Sequence, residues 1–426
     1  MRCATKSARP PRRMKPSGIT WLGDVPEEWE LIKGKYCLRQ INRPIKDGDG
    51  VITCFRDGEV TLRSKRREEG FTISMKEIGY QGIEPGDLVV HGMDGFAGSI
   101  GVSDSRGKAS PVLIVLDTEQ DKKFLMYYLR TVAYKNVFVG LATGIRVRSC
   151  DLRWPKLAEL PYLLPPLLEQ RAIAERIDCE VARVDALREK IKREIECLGD
   201  YKKSLIAETV TRGLRKRKMK PSGILWLGDV PAEWEVTRIG YLATRKPPKY
   251  APEEELLSVF LDRGVIRFAD GGSKRANVAS GDFSKYQLVE PGDFVLNNQQ
   301  AWRGSVGVST YRGIISPAYL ILKTKSVVDA VYANYLFRSR PLVALYEQCS
   351  HGVGSIQRNI YWDELRVQKI PFPSLPEQRE IAEYLDRAVS RIDAVVAQRK
   401  SQLEKLEAFK RSLIQEYVTG KREVCQ

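Results

Sequence analysis

A short polar segment carries the side chains best suited to chemistry with a nucleic acid. It holds Asn298, Gln299, Gln300 and Arg303 within residues 298–303. Asparagine and glutamine amides form paired hydrogen bonds with the edge of adenine, and arginine forms them with guanine. The segment therefore predicts a surface that reads bases by hydrogen bonding.

Clusters of basic residues predict contacts with a polyanion. The 426 residues include 70 lysines and arginines against 54 acidic residues, for a formal net charge of +16. This surplus favours phosphate binding, whereas a single basic cluster can also be a solvated face. The basic candidates for DNA contact are Arg63, Lys65, Arg66, Arg67, Arg146, Arg148, Lys274 and Arg275. A further basic run covers residues 212–220.

Two aromatic residues occupy comparable places and extend the candidate surface. Phe96 and Trp302 could stack on a base or wedge between base steps; alternatively, each packs its own turn. The remaining candidates for base contact are Met93, Asp94, Gln357, Arg358 and Asn359.

Sequence signatures of catalysis and of metal binding are missing. There is no G-x-x-x-x-G-K-[ST] phosphate loop and no glycine fingerprint for a dinucleotide. The two histidines, His91 and His351, are far apart, and an isolated histidine is usually structural or exposed. The eight cysteines form no C-x-x-C pair, which indicates reduced thiols and no zinc site. We therefore expect a non-catalytic chain that holds no cofactor or metal of its own.

The candidate residues lie in an internally duplicated chain. Residues 14–30 recur as residues 219–235, with the shared pattern Gly-Ile-x-Trp-Leu-Gly-Asp-Val-Pro-x-Glu-Trp. Glu-Pro-Gly-Asp at 84–87 recurs at 290–293, so the repeat is about 205 residues long. Between these shared motifs, the segments that carry the candidate side chains differ. We expect one scaffold, used twice, to present different side chains to different targets.

Each copy changes its periodicity part-way. The front of each copy holds short β-rich runs at residues 51–55, 87–91, 111–116, 256–260, 293–297 and 318–323. The back of each copy places apolar residues at steps of three and four, which predicts a long amphipathic helix. The sequence predicts a mixed α/β (α+β) fold with two pseudo-symmetric globular domains. The predicted domains cover 14–165 and 219–373, and the predicted spacer helices cover 166–213 and 374–421.

The two predicted helices are too long for their own domains to cover. A helix of about 44 residues extends about 65 Å at 1.5 Å per residue. Packing on the adjacent domain alone is the simpler alternative. Because the first helix must deliver the chain to the second domain, we expect the two helices to pair as an antiparallel coiled coil that separates the domains.

The repeated tryptophan motif is better explained by folding than by binding. Asp24 and Asp229 each precede Val-Pro, so we expect each to cap a short helical turn. Trp29 and Trp234 would then pack against the domains, because a buried indole supplies a large contact area.

Taken together, these motifs resemble the specificity subunits of type I restriction-modification systems. The resemblance rests on the duplicated tryptophan motif, the Pro-Gly-Asp turns, Glu-Gln-Arg at the start of each helix and Leu-Ile-x-Glu-x-Val-Thr at its end. It implies two target-recognition domains that each read one half of a split, asymmetric DNA sequence. It also implies spacer helices that bind two adenine-N6 methyltransferase subunits.

The resemblance further implies which partners supply the chemistry. The partners would be double-stranded DNA, two methyltransferase subunits and restriction subunits, with S-adenosylmethionine, ATP and Mg²⁺ held by those subunits. No apolar run approaches the roughly 18 residues of a membrane span, and the basic start lacks the apolar core of a signal peptide, so we expect no membrane contact and a cytoplasmic protein. The alternative is a coiled-coil scaffold whose globular domains bind proteins.

Overall fold

The structure is a computed structural model that describes residues 12–66, 77–141, 152–224, 227–261, 263–271, 282–352 and 358–424. It divides into two compact units, Met1–Ile191 with Ser401–Gln426, and Lys192–Lys400. The four domain and helix ranges drawn from the sequence stay predictions.

The first unit is built around an antiparallel sheet. Its strands are β1 (Met14–Pro16), β2 (Asp24–Pro26), β3 (Glu30–Lys33), β4 (Arg39–Ile41), β5 (Ile52–Cys54), β6 (Val60–Leu62), β7 (Gln81–Ile83), β8 (Leu88–His91), β9 (Ile100–Val102), β10 (Gly107–Ala109), β11 (Leu113–Asp117) and β12 (Pro161–Leu164). Its helices are α1 (Arg63–Arg66), α2 (Lys122–Tyr134), α3 (Val137–Gly140), α4 (Trp154–Glu159) and the start of α5 (Leu167–Arg212). The four-stranded sheet has the order β4-β11-β8-β9, and the pairs β1-β2, β3-β12, β5-β6 and β7-β10 complete the unit.

Alternation along β8 explains how this sheet is covered on both faces. Leu88 and Val90 belong to a core that also contains Phe124 and Tyr128 of α2. Val89, between them, packs into a separate cluster beside strands β5, β6 and β7. Successive side chains of a strand point to opposite faces, so one apolar run supplies both cores.

The second unit repeats this plan. Its strands are β13 (Met219–Pro221), β14 (Asp229–Pro231), β15 (Glu235–Arg238), β16 (Ala243–Arg245), β17 (Leu257–Phe260), β18 (Gly264–Arg267), β19 (Gln287–Val289), β20 (Asp293–Asn297), β21 (Val306–Val308), β22 (Gly313–Ile315), β23 (Tyr319–Thr324), β24 (Ser350–His351), β25 (Asn359–Ile360) and β26 (Lys369–Phe372). Its helices are α6 (Ile239–Leu242), α7 (Ala330–Phe337), α8 (Arg340–Gln348), α9 (Trp362–Leu365) and α10 (Leu375–Val418), which ends in the first unit.

The sheet of the second unit has the order β16-β23-β20-β21, matching the first strand for strand. Phe294 and Leu296 enter the main core, where Phe294 stacks on Phe337 with ring centroids 4.3 Å apart. Val295 belongs to a second cluster. The mixed fold and the six predicted β-rich runs are therefore confirmed.

The two long helices, α5 and α10, pack against each other in antiparallel fashion within each unit. In the first unit, Lys410 lies 2.7 Å from Asp185 and Arg188 lies 3.2 Å from Glu407. In the second unit, Arg399 lies 3.1 Å from Glu194 and Lys202 lies 2.7 Å from Asp393. Partner numbers on α10 fall as those on α5 rise, so the predicted antiparallel pairing is confirmed.

The C-terminal end of each long helix also joins a core. Tyr417 and Val418 of α10 share the first unit's main core with Leu22 and Trp29. Val210 of α5 shares the second unit's main core with Trp234. The first unit's core is thus completed by a helix end from the far end of the chain, whereas Val210 lies only shortly before β13 in sequence.

The prediction that Asp24 and Asp229 cap helical turns is wrong. Each begins a strand, β2 or β14, that pairs with the strand before it. Val25 and Val230 are buried in these extended segments, and backbone pairing with β1 or β13 satisfies groups that a helical turn would have bonded internally. Trp29 and Trp234 are each 1% exposed, so the predicted packing of these two tryptophans is confirmed.

Candidate nucleic-acid interface

The Glu-Pro-Gly-Asp motif fixes the start of the strand that leads to each candidate surface. The Asp87 carboxylate accepts a hydrogen bond from the Glu84 backbone N–H at 2.8 Å and pairs with Arg43. Asp293 accepts from the Glu290 N–H at 2.8 Å and pairs with Lys246 at 2.5 Å. Both aspartates are buried. The motif is therefore a structural anchor below the divergent segments.

The divergent segments share one backbone conformation. In each copy the strand is followed by a 3₁₀ turn, Gly95–Ala97 or Ala301–Arg303. Gly98 and Gly304 end these turns with φ of 93° and 97°, a left-handed conformation that favours glycine. The two copies thus hold different side chains on matching turns.

His91 and Asn297 play the same part in these two turns. The His91 Nδ1 accepts hydrogen bonds from the backbone N–H groups of Met93 at 3.2 Å and Asp94 at 3.0 Å. The Asn297 Oδ1 accepts from the Gln299 N–H at 3.1 Å. Burial lowers the pKa of His91, and this outweighs the opposing effect of Asp94. The neutral ring with Nδ1 as acceptor must carry its proton on Nε2.

The first copy presents a cavity of about 720 Å³ beside its turn. We call it surface 1 and define it by Phe55, Arg56, Asp57, Arg63, Arg66, His91 and Asp94. Three predicted residues, Arg63, Arg66 and Asp94, are brought together here from separate parts of the chain. Sequence reasoning missed Arg56 as a candidate and gave His91 no binding role.

Most of the charge on surface 1 is paired internally. The Arg66 guanidinium bonds to Asp57 at 2.5 Å and Glu59 at 2.6 Å, and lies 4.0 Å from the Phe55 ring centroid. Burial would raise the pKa of Asp57, but hydrogen bonds from Arg66 and the Glu59 backbone lower it further than burial raises it. Arg56 and Asp94 form a second pair at 3.0 Å. These pairs give the surface alternating donors and acceptors.

Three other predicted residues of the first copy lie apart from these pairs. Lys65 donates to the Ser105 hydroxyl at 2.7 Å and also faces Asp104. Met93 is exposed at the tip of the turn. Phe96 packs against the main core of the first unit, which favours the packing alternative for this ring.

The second copy brings two predicted segments into one surface. The Ile360 N–H donates to the Asn298 carbonyl at 3.0 Å, which ties residues 298–303 to strand β25. We call the result surface 2 and define it by Asn298, Gln299, Gln300, Trp302, Arg303, Arg358 and Asn359. Gln299, Arg303 and Asn359 are exposed, and the rest are partly buried.

Trp302 lies at the centre of surface 2. Its indole N–H donates to the Gln299 carbonyl at 3.0 Å. The guanidinium carbons of Arg303 and Arg358 lie 4.8 and 5.1 Å from its ring centroid. Within the described residues, Trp302 does not pack on a core of the second unit, whereas its counterpart Phe96 packs on the main core of the first.

Six predicted residues lie outside the described part of the chain: Arg67, Arg146, Arg148, Lys274, Arg275 and Gln357.

The basic run at 212–220 lies within the described residues, and two of its arginines form ion pairs inside the protein. Arg217 bonds to Glu377 at 2.8 Å and to Glu233 at 3.1 Å, while Arg215 bonds to Glu380 at 2.8 Å.

Neither metal sites nor membrane spans are found in the described ranges. No group of three or more His, Cys, Asp or Glu side chains there could hold a metal ion. No described helix is long and apolar enough to cross a membrane.

Comparisons with known proteins agree with the motifs. The type I restriction modification DNA specificity domain matches residues 231–405. The chain is 25% identical to the MjaX specificity subunit of Methanocaldococcus jannaschii, over 94% of this chain and 95% of that protein. It is 26% identical to the MjaVIII specificity subunit of the same organism, over 93% of each.

Two solved structures share the fold. A chain from a structural study of assembly and conformational transition in the type I R-M system aligns with a TM-score of 0.67 and 16% identity, covering 93% of this chain and 99% of that one. The HsdS subunit from Thermoanaerobacter tengcongensis aligns with a TM-score of 0.51 and 17% identity, covering 93% and 98%.

Proposed function

Since the chain is related along nearly its whole length to the specificity subunits of type I restriction enzymes, we propose that it reads a bipartite, asymmetric DNA target. Each copy reads one half. The observation that carries this proposal is one turn backbone present twice with different side chains, at surface 1 and surface 2. A conserved frame with divergent polar groups suits two readers of different base sequences.

The charge of the chain supports DNA as the ligand. The net charge of +16 favours a polyanion, and exposed arginines such as Arg56 and Arg303 stand beside the candidate reading turns. Phosphate contacts would position the duplex, and contacts with base edges would supply the specificity.

The chain would act as the non-catalytic part of a cytoplasmic complex. Exposed apolar residues on α5 and α10, among them Leu187, Tyr201, Val395 and Phe409, offer contact area to two methyltransferase subunits. Restriction subunits would join the same complex. S-adenosylmethionine, ATP and Mg²⁺ would be bound by those partners.

The decisive experiment exchanges side chains between the two turns in the assembled methyltransferase complex. In the variant Q299M/Q300D/W302F/R303A, the second turn receives the residues found at the same places in the first. Sequencing of methylated DNA should show that one half of the target changes while the other half stays. A change in both halves, or in neither, would overturn the assignment of one reader per copy.

A reciprocal variant, M93Q/D94Q, is the matched control. It should alter only the half that the first variant leaves intact. Gly92 and Gly95 are kept, because a Cβ at either place would lie 2.9 Å from an atom of Leu152. The scaffold alternative is tested with the same complexes: a DNA reader loses affinity steeply as salt rises, whereas protein binding by the globular domains would depend on salt only weakly.

A further inference from the structure

Surface 2 contains an arginine whose charge is not neutralised within the surface. Arg358 pairs with the Glu347 carboxylate at 3.2 Å. Arg303 has no carboxylate within ion-pair distance in the described ranges and is exposed. The two guanidinium groups share one indole ring, yet among the residues that the structure describes only Arg358 has an anionic partner. Surface 2 therefore carries a surplus positive charge at Arg303.

Two contacts define the position of Arg303. Its backbone N–H donates to the Gln300 carbonyl at 3.0 Å, inside the 3₁₀ turn. Its guanidinium lies against the Trp302 ring, and that ring is held by the hydrogen bond from its N–H to the Gln299 carbonyl. Contact with an aromatic ring leaves the N–H edge of a guanidinium available, and that edge can donate two parallel hydrogen bonds.

Arg358 supports this arrangement from another part of the chain. It reaches the same ring from the start of β25, and its pair with Glu347 ties it to α8. The Asn298 carbonyl accepts from the Ile360 N–H, so the two segments also share a backbone contact. Arg358 thus supports the ring against which Arg303 lies.

Resting on the proposed function, we infer that Arg303 reads a guanine, through O6 and N7, in the half-site bound by the second copy. Trp302 and Arg358 are positioning residues for this contact. A guanidinium held at an aromatic ring matches the two acceptors on the major-groove edge of guanine, which lie in one plane. The equivalent place in the first copy is Ala97, so this contact would distinguish the two readers.

The test uses the chain assembled with its methyltransferase subunits and the duplex target identified by methylome sequencing. Each guanine of the second half-site is replaced, one at a time, by 7-deazaguanine, which lacks the N7 acceptor. One replacement should weaken binding by the wild type roughly 10- to 150-fold, the range for loss of one hydrogen bond from a charged group. The R303A complex, which has no donor at this position, should bind this DNA and the unmodified DNA equally.

The control variants separate reading from positioning and from general charge. R358A should lower affinity while a smaller penalty for the same 7-deazaguanine remains. K216A, which removes an exposed cation elsewhere in the second unit, should weaken binding to all duplexes equally. If R303A lowers the affinity for modified and unmodified DNA by the same factor, the 7-deazaguanine penalty remains. Arg303 then contacts phosphate, and the inference is wrong.

A target with no G·C pair in the second half-site would also overturn the inference. Both outcomes differ from a failure of the proposed function. If the proposed function were wrong, the wild-type complex itself would show no preference for any bipartite sequence.

Discussion

Replacing Asp293 by asparagine should loosen the second copy specifically. The Asp293 side chain is 5% exposed and that of Lys246 is 10% exposed, so the pair is buried. Asparagine can still accept the Glu290 N–H, but it removes the negative charge that faces Lys246. A hydrogen bond to a charged group contributes about 1.5–3 kcal/mol. Lys246 still has an ion pair with Glu290, at 2.8 Å, in the variant. The loss of stability should therefore stay below the ~3–5 kcal/mol of a buried pair that loses one partner. We expect a loss of about 2 kcal/mol in the free energy of opening.

Native-state hydrogen exchange followed by mass spectrometry measures this loss strand by strand. A loss of about 2 kcal/mol corresponds to roughly 30-fold faster exchange in β20 and β23. Strands β8 and β11 of the first copy serve as the internal control and should not change.

The matched variant is D363N. Its carboxylate is 88% exposed and pairs with Arg366, so it should cost below about 0.5 kcal/mol. Equal effects of D293N and D363N on β20 would refute the view that the Pro-Gly-Asp turn anchors the reading strand.

Three further results are expected. Burial lowers the pKa of His91, so on acidification the unfolded chain takes up a proton before the folded chain does, and the folded state loses stability. The urea concentration at half-unfolding should therefore fall as the pH is lowered from about 7.5 to about 5.5. The H91N variant, which keeps an acceptor for the turn, should show a smaller fall. G58A should destabilise the first unit by about 1 kcal/mol more than G48A in urea titrations, because both glycines have positive φ but only at Gly58 would a Cβ strike the Arg130 guanidinium. A heptad added to both long helices, after Ile191 and before Ser401, lengthens each by about 10 Å and should widen the gap between half-sites in methylome data, whereas an unchanged gap would contradict the role of these helices as spacer.

Periodicity made the main elements predictable from sequence. Steps of three and four indicate α5 and α10, and the short β-rich runs at residues 87–91 and 293–297 indicate the two central strands. The Asp-Val-Pro segments misled, because an aspartate before proline is equally compatible with a helix start and with an extended strand. Only the pairing of β2 with β1 decides between them.

The composition of the candidate surfaces was less accessible to sequence reasoning. Trp302 and Arg358 were both candidates, but their contact depends on how β25 returns to the turn. Arg56 was missed because its significance comes from Asp94, which lies 38 residues away in sequence. The turn residues Asp57 and Gly58 could have indicated a hairpin that exposes Arg56. His91 was passed over because its acceptor role needs the geometry of the turn.

The discontinuous first unit has a consequence for biosynthesis. Its core includes Leu413, Ile414, Tyr417 and Val418, whereas the second unit is one uninterrupted stretch, Lys192–Lys400. At about 5–20 residues per second, the ribosome needs roughly 10 to 45 seconds between Ile191 and Val418. During that interval Leu22 and Trp29 lack their core contacts with the end of α10. The globule translated first is therefore the one that matures last.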